Sequence, residues 1–302
     1  MNWLFFAISA QFTWAIVNHF DKHLVNKYFN GGVGAMMIFT AFVNSIFLPF
    51  ILFFNRQILG TPLLQALIAS SVGACYVIGS IFYLYALRKE ETTSISILWQ
   101  FSVPITYFLG YIFLRETLST NQMIGSSIVL VGGLITMIKI NNRKFTMKSD
   151  ILLFMITAVI IHSSSSLIFK AFAINFDFWT AIFFEILGAL ITGVLLVILH
   201  KSYRKEFIIA ISTNRTKVFT LNFINEFMQI SANTLFRYAT MLAPLTLVQV
   251  TNSLNSPFVF IIAVILSIFL PNISNENFSK FAVAQKILGV IVVSFGIIYL
   301  QY

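Results

Sequence analysis

Ten stretches of this chain are each long and apolar enough to cross a bilayer, and that constrains the fold more than any other feature. About 30 Å of hydrocarbon needs about 20 residues of helix. The candidate runs are 3 to 20, 34 to 54, 63 to 87, 93 to 114, 119 to 138, 151 to 172, 178 to 199, 218 to 240, 245 to 269 and 284 to 301. They are too long, and too little alternating, for barrel strands, so each backbone must satisfy itself as a helix. Only 10% of the residues are charged, against about a quarter in a soluble domain, so a soluble globule is excluded. The expected fold is an all-α polytopic membrane protein of ten transmembrane helices.

The first run lacks the basic flank and small-residue cleavage pattern of a signal peptide, so it is read as a retained helix. A net charge of +9 finds no soluble domain to present it to nucleic acid, and the lipid bilayer with its anionic headgroups is the expected partner. Fifteen of the 19 Lys and Arg residues fall in loops or helix ends following odd-numbered runs. The positive-inside rule makes that side cytoplasmic and both termini external. Cys75, inside the third run, is read as a small packing residue.

The chain also repeats itself. Tyr85-Ala86 to Pro104 matches Tyr238-Ala239 to Pro257 at an offset of 153. Trp14, Asn18 and Lys22 match His162, Ser166 and Lys170 at an offset of 148, and Gly125 and Gly132 match Gly289 and Gly296. The order of matches is the same in both halves. The expected organisation is a first five-helix repeat at 1–140, a central loop at 141–150 and a second five-helix repeat at 151–302. Five is odd, so the second unit enters the membrane inverted, an arrangement of secondary transporters with a midplane site.

Residues 85 to 135, "YALRKEETTSISILWQFSVPITYFLGYIFLRETLSTNQMIGSSIVLVGGLI", resemble the core stretch of the EamA-like drug/metabolite transporter (DMT) superfamily. There a Tyr-Ala-like helix end precedes a polar-punctuated helix with a proline, an acid-bearing turn and a glycine-bearing helix. At that turn "LRETLS" supplies Glu116, with Arg115 where the family often has a glycine. The second half departs from the pattern: its turn is longer and Lys280 stands where Glu116 would align. The resemblance implies a carrier fold with a central cavity among helices 1, 3, 4, 6, 8 and 9, which brings Tyr76 and Tyr83 into the candidate site. It leaves open amino acids, nucleotide sugars, phosphorylated metabolites and cationic drugs. It also implies cytoplasmic termini, against the loop charges.

The residues supply their own candidates. In the eighth run Asn222, Glu226, Gln229, Asn233 and Arg237 are spaced 4, 3, 4 and 4, on one helical face. Buried ionisable groups in a membrane face a cavity or a partner. Glu226 and Arg237 stand about 16 Å apart along the axis and cannot pair with each other. Shorter polar stripes hold Gln249, Asn252 or Ser253, and Ser256 in the ninth run and Thr93, Ser96, Gln100 and Tyr107 in the fourth. Gln11, Trp14, Asn18 and Lys22 lie in the first, and His162, Ser165 or Ser166, and Lys170 in the sixth. Such residues serve equally as glue between helices. Trp99 joins Trp14, Tyr76 and Tyr83 as candidate aromatic walls. Lys22, Lys170 and Arg237 are candidates for a carboxylate or phosphate, and Glu226 for a substrate cation or a proton. Glu185, an isolated acid in the seventh run, pairs with a neighbouring helix, is protonated or serves coupling. Pro104 and Pro257, read as mid-helix, each free a carbonyl one turn earlier, at Gln100 and Ser253, and form a candidate pair of gating kinks.

No P-loop, His-Glu-x-x-His or nucleophile–base pattern occurs in the sequence, which argues against an enzyme and against ATP-driven transport. His162 has no second ligand at metal spacing, and neither metal nor cofactor is expected. The expected activity is secondary active transport of a small polar metabolite by alternating access, an amino acid being the first choice. A nucleotide-sugar or phosphorylated-metabolite exchanger and a cationic drug exporter are the alternatives, and a membrane scaffold is the non-transport one. The cell (inner) membrane is the expected location, and nothing in the loops precludes a homodimer.

Overall fold

The structure, a computed structural model, describes residues 2–27, 32–89, 95, 98–137, 149–213, 215–269 and 280–300. The described residues are almost entirely helical. Helix α1 spans Trp3–Lys27. Helix α2 runs Val33–Phe54, tightened by a 3-10 turn at Ser45–Phe47 where Pro49 follows. Helix α3 is Leu63–Lys89, α4 is Ser102–Leu114, α5 is Thr120–Met137, α6 is Ser149–Asn175 and α7 is Phe178–Leu199. Then come α8 (Lys201–Thr213), α9 (Arg215–Leu242), α10 (Leu245–Val250, a 3-10 turn Thr251–Leu254, then Asn255–Phe269) and α11 (Lys280–Tyr299).

Among the described residues five rods are long and apolar enough to cross a membrane: Val33–Phe54, Leu63–Ala86, Ser149–Asn175, Phe178–Leu199 and Leu245–Ile265. Shorter apolar helices lie at Ser102–Leu114, Thr120–Ile135 and Val283–Tyr299. Helices α1 and α9 are as long but carry the polar stripes. Exposed Phe53, Phe54, Phe108, Phe113, Leu195 and Phe295 are at home in lipid rather than in water.

Small residues set the packing. A Cβ on Gly73 in α3 would collide with the Glu185 carbonyl of α7, and one on Gly188 with the Ser70 carbonyl of α3. The two backbones therefore touch, as small residues allow between membrane helices. Helices α5 and α11 meet reciprocally. A Cβ on Gly132 would stand 2.7 Å from the Val293 amide nitrogen, and one on Gly296 would stand 2.9 Å from that of Val129. The other large contacts join α1 to α9 and α3 to α6.

The structure departs from the sequence expectation at two places. Helix α4 begins at Ser102, so Pro104 lies in its first turn, and the Gln100 carbonyl accepts the Val103 N–H at 3.1 Å instead of standing free. Pro257 likewise lies in the first turn of Asn255–Phe269, after the 3-10 break. Proline costs little in a first turn, where its missing N–H has no helical acceptor. The mid-helix kinks are therefore breaks that each proline follows.

The second departure is α8, expected as loop. Tyr203, Phe207 and Ala210 form its inward stripe at helical spacing, with Tyr203 and Ala210 buried. Lys201, Arg204, Lys205, Ile208 and Ile209 are exposed. Tyr203 stacks on His200, and its hydroxyl meets that of Tyr85 at 2.7 Å. Phe207 packs on Phe39 and Phe42 of α2.

Candidate functional site

The polar face of α9 points inward, and four of its five members bond residues of neighbouring helices. Arg237 pairs with Glu185 of α7 at 2.8 Å, both side chains under a tenth exposed. Its guanidinium also donates to Ser166 at 3.1 Å and Ser165 at 3.3 Å on α6, and lies 4.6 Å from the Phe169 ring centre. The planar guanidinium suits this role, since it stacks and donates along a fork at the same time. Asn233 donates to the same Glu185 oxygen at 3.3 Å. Gln229 donates to the Tyr76 hydroxyl on α3 at 2.8 Å, and Glu226 accepts from Thr40 on α2 at 2.6 Å. The stripe thus ties α9 to α2, α3, α6 and α7. A small cavity among Asn44, Tyr76, Glu185, Gln229, Asn233 and Thr234 runs beside it.

From Tyr76 an aromatic chain continues away from α9. Tyr76 meets His162 with ring centres 5.8 Å apart, His162 meets Trp99 at 5.2 Å, and Trp99 meets Tyr83 at 5.3 Å. The order follows from helical spacing: Tyr76 and Tyr83 are two turns apart on one face of α3. Gly79, between them, admits the His162 ring, which a Cβ there would approach to 2.8 Å. Tyr76, Tyr83, Trp99, His162, Gln229 and Asn233 are therefore contiguous.

Other candidates gather elsewhere. Gln11 of α1 donates to Asn252 of α10 at 2.7 Å, Asn18 to Asn255 at 2.9 Å, and Ser253 to Gln100 at 2.8 Å. Gln249 is buried in α10 with its Oε1 unpartnered, and Trp14 packs on Phe236, 5.2 Å between ring centres. Lys170 is closed off by protein: Glu116 stands 2.5 Å from its ammonium, which also donates to the Ala243 carbonyl at 2.7 Å. The other Glu116 oxygen accepts the Leu245 N–H at 2.7 Å. This cluster clamps the end of α4 and the joint between α9 and α10 onto α6. The Lys22 side chain lies outside the described residues.

Several partners escaped the sequence reading. Asp21 of α1 accepts from Asn225 of α9 at 2.7 Å, and Thr40 holds Glu226. Asn225 sits three residues from Asn222 and one from Glu226, at the margin of the stripe, and that spacing was the available signal. Among the described residues no group of three or more His, Cys, Asp or Glu could hold a metal.

These observations define a polytopic helical membrane protein with a buried, charge-paired polar interior. Residues 1–138 match the sequence model of the EamA-like transporter family, which belongs to the drug/metabolite transporter superfamily. The apolar helices and that match over the first 138 residues point to an integral membrane protein. Among solved structures 27 chains match. One, titled "Crystal structure of protein", covers 98% of this chain and 94% of its own at 12% identity and a TM-score of 0.60. That likeness concerns the fold alone. Comparison with curated proteins gives no match.

Proposed function

We propose that the protein is a secondary active transporter of a small polar metabolite, built as two inverted five-helix repeats that expose a central site alternately to the two sides. One observation carries this reading: two hydrogen bonds, one buried and one partly buried, join residues that the internal repeat makes equivalent. Tyr76 and Gln229 are 153 residues apart, and so are Gln100 and Ser253, the same offset that relates Pro104 to Pro257. Between units related by a two-fold axis, equivalent residues touch where that axis passes between them. The reciprocal contacts of Gly132 with Val293 and Val129 with Gly296 obey the same logic at their own offset of 164. An odd number of spans per repeat turns that axis into the membrane plane. The family match ends at residue 138, two residues before the repeat boundary at 140.

The substrate site in this reading lies along the axis, walled by Tyr76, Tyr83, Trp99 and His162 and floored by Gln229 and Asn233. Both buried cations described here already face a carboxylate, Arg237 that of Glu185 and Lys170 that of Glu116. That favours a zwitterion or amine over a phosphate, since aromatic faces attract an ammonium and, among the described residues, no buried cation is left unpaired for a dianion. Amino acids are therefore the first substrate class. The breaks before Pro104 and Pro257 are the proposed hinges of the two gates, with Gln100, Gln249 and Asn252 beside them.

The test is counterflow in proteoliposomes with radiolabelled amino acids, nucleotide derivatives and cationic drugs. Amino-acid exchange should appear, and Gln229→Ala should raise its KM at least tenfold. Flux of a nucleotide derivative alone would refute the substrate class. Absence of flux for every class would return the chain to a scaffold role.

A further inference from the structure

A second polar cluster, beside the aromatic chamber, is built where α9 faces α1 and α2. Glu226 is 2% exposed, Asn222 0% and Asn225 1%. Thr40 serves one Glu226 oxygen, while the other, Oε2, has no hydrogen-bond partner. Asn222 has none at either amide atom, and Asn225 has none at its Oδ1. Buried polar groups are rarely left unpaired in a native structure, so such a concentration asks for an occupant. The three side chains also aim the same way. On a helix Asn222 projects about 60° from Asn225 and about 40° from Glu226, between them. Glu226 reaches α2 through Thr40 and Asn225 reaches α1 through Asp21, so Asn222 faces the gap between α1 and α2.

Among the described residues no cationic side chain bonds either carboxylate, and Asp21 is near enough for its charge to act on Glu226. Leu24, Phe39, Phe207 and Leu221 form an apolar layer next to it. A carboxylate in such surroundings keeps its charge only with a counter-ion.

We propose that Asn222, Asn225, Glu226 and Thr40 hold a small monovalent metal cation of the sodium class, with Asp21 fixing Asn225 through its amide. Hard cations take oxygen ligands, and the unpaired set offers one carboxylate oxygen and two amide oxygens. Only one of the three bears charge, which balances a single positive charge. A proton on Glu226 Oε2 could be donated to one asparagine oxygen at most and would leave the other unpaired. A divalent ion needs six or more oxygens or retained waters, more than the unpaired set supplies.

The experiment uses the purified full chain with no transport substrate present, so it stands or falls apart from the substrate reading. Unfolding is followed at constant ionic strength in sodium, potassium, calcium and choline chlorides, at pH 6 and pH 8. Sodium should raise Tm saturably by about 4 °C or more over choline at a hundredfold excess over its Kd. Glu226→Gln and Asn222→Leu should each abolish that rise while eluting as folded monodisperse protein. Should both variants fail to fold, binding of radioactive sodium to the wild-type chain decides, and its absence overturns the proposal. A rise with calcium alone overturns the monovalent assignment. Equal Tm in sodium and choline, with a pH-dependent step lost in Glu226→Gln, overturns it in favour of a proton.

Discussion

Removing either partner of the Glu185–Arg237 pair should reveal how much of the fold hangs on one buried charge. At 2.8 Å the attraction is about 6 kcal/mol at an effective dielectric constant of about 20, and desolvation of both groups offsets much of it. Glu185→Gln keeps the shape but leaves a guanidinium buried against two serine hydroxyls and the Phe169 ring. Arg237→Met removes the cation and leaves Glu185, whose Oε2 is already unpartnered, with only Asn233. Stranding a buried charge costs about 3 to 5 kcal/mol, which at about 2 °C per kcal/mol for a chain of this size lowers Tm by about 6 to 10 °C. The double variant strands nothing, and its loss should fall about 2 kcal/mol or more short of the sum of the two singles. Thermal unfolding followed by tryptophan fluorescence in detergent supplies all four corners of the cycle. Strict additivity within about 0.5 kcal/mol would refute the reasoning, because it would mean that the two groups do not share their energy.

Arg115 has φ of 55°, in the left-handed region that glycine occupies without cost. Arg115→Gly should therefore raise stability by about 0.5 to 1 kcal/mol, and Arg115→Val should lower it, both read as Tm. Gly188→Ala places a methyl group in the Ser70 carbonyl and should abolish recovery of monodisperse protein. Gly60→Ala has open space at its Cβ and should leave the yield unchanged. Burial, then the Tyr85 hydroxyl, pushes the Tyr203 phenol above its usual range. Its raised value means that the folded state holds the proton longer, so its contribution is complete below about pH 10 and is lost as pH rises above that. Wild-type Tm should fall more steeply from pH 10 to pH 11 than that of Tyr203→Phe.

How far the sequence carried this picture depends on the element. Long apolar runs became rods because a membrane segment must close its own hydrogen bonds, a requirement that leaves few alternatives. Helix α8 was invisible to that criterion: its inward stripe of Tyr203, Phe207 and Ala210 is too short for a hydropathy window, though its 3.6-residue period was there to find. The family glycine expected at Arg115 has its physical reason in the positive φ found there. Partners across the fold were a different matter. Glu116 and Lys170 were each conspicuous, yet nothing local says that residues 54 positions apart meet. Asp21 stood alone at the end of an apolar run, where it reads as a loop residue until α9 is laid against it. Spacing gave the direction of the α9 stripe, but whether it met water or protein was fixed by α2, α3, α6 and α7.

The interior charges follow a division of labour that the proposed repeat makes intelligible. Where the proposed axis passes, the contacts are neutral: Tyr76 with Gln229, and Gln100 with Ser253. Ionic contacts lie off it, Glu185 with Arg237 and Glu116 with Lys170; Lys22 corresponds to Lys170, but Lys280 stands where Glu116 would align. Neutral hydrogen bonds on the axis cost little to break and remake, roughly 1 kcal/mol each, whereas a buried ion pair parted without replacement costs several times that. A carrier that rocks about this axis would therefore be expected to exchange the neutral contacts and keep the ionic ones. Cysteine pairs across Tyr76/Gln229 should then crosslink in one state only, and pairs flanking Glu185/Arg237 in both. The opposite pattern would place the moving boundary at the ion pairs and would require each of them to be remade with a new partner in every cycle.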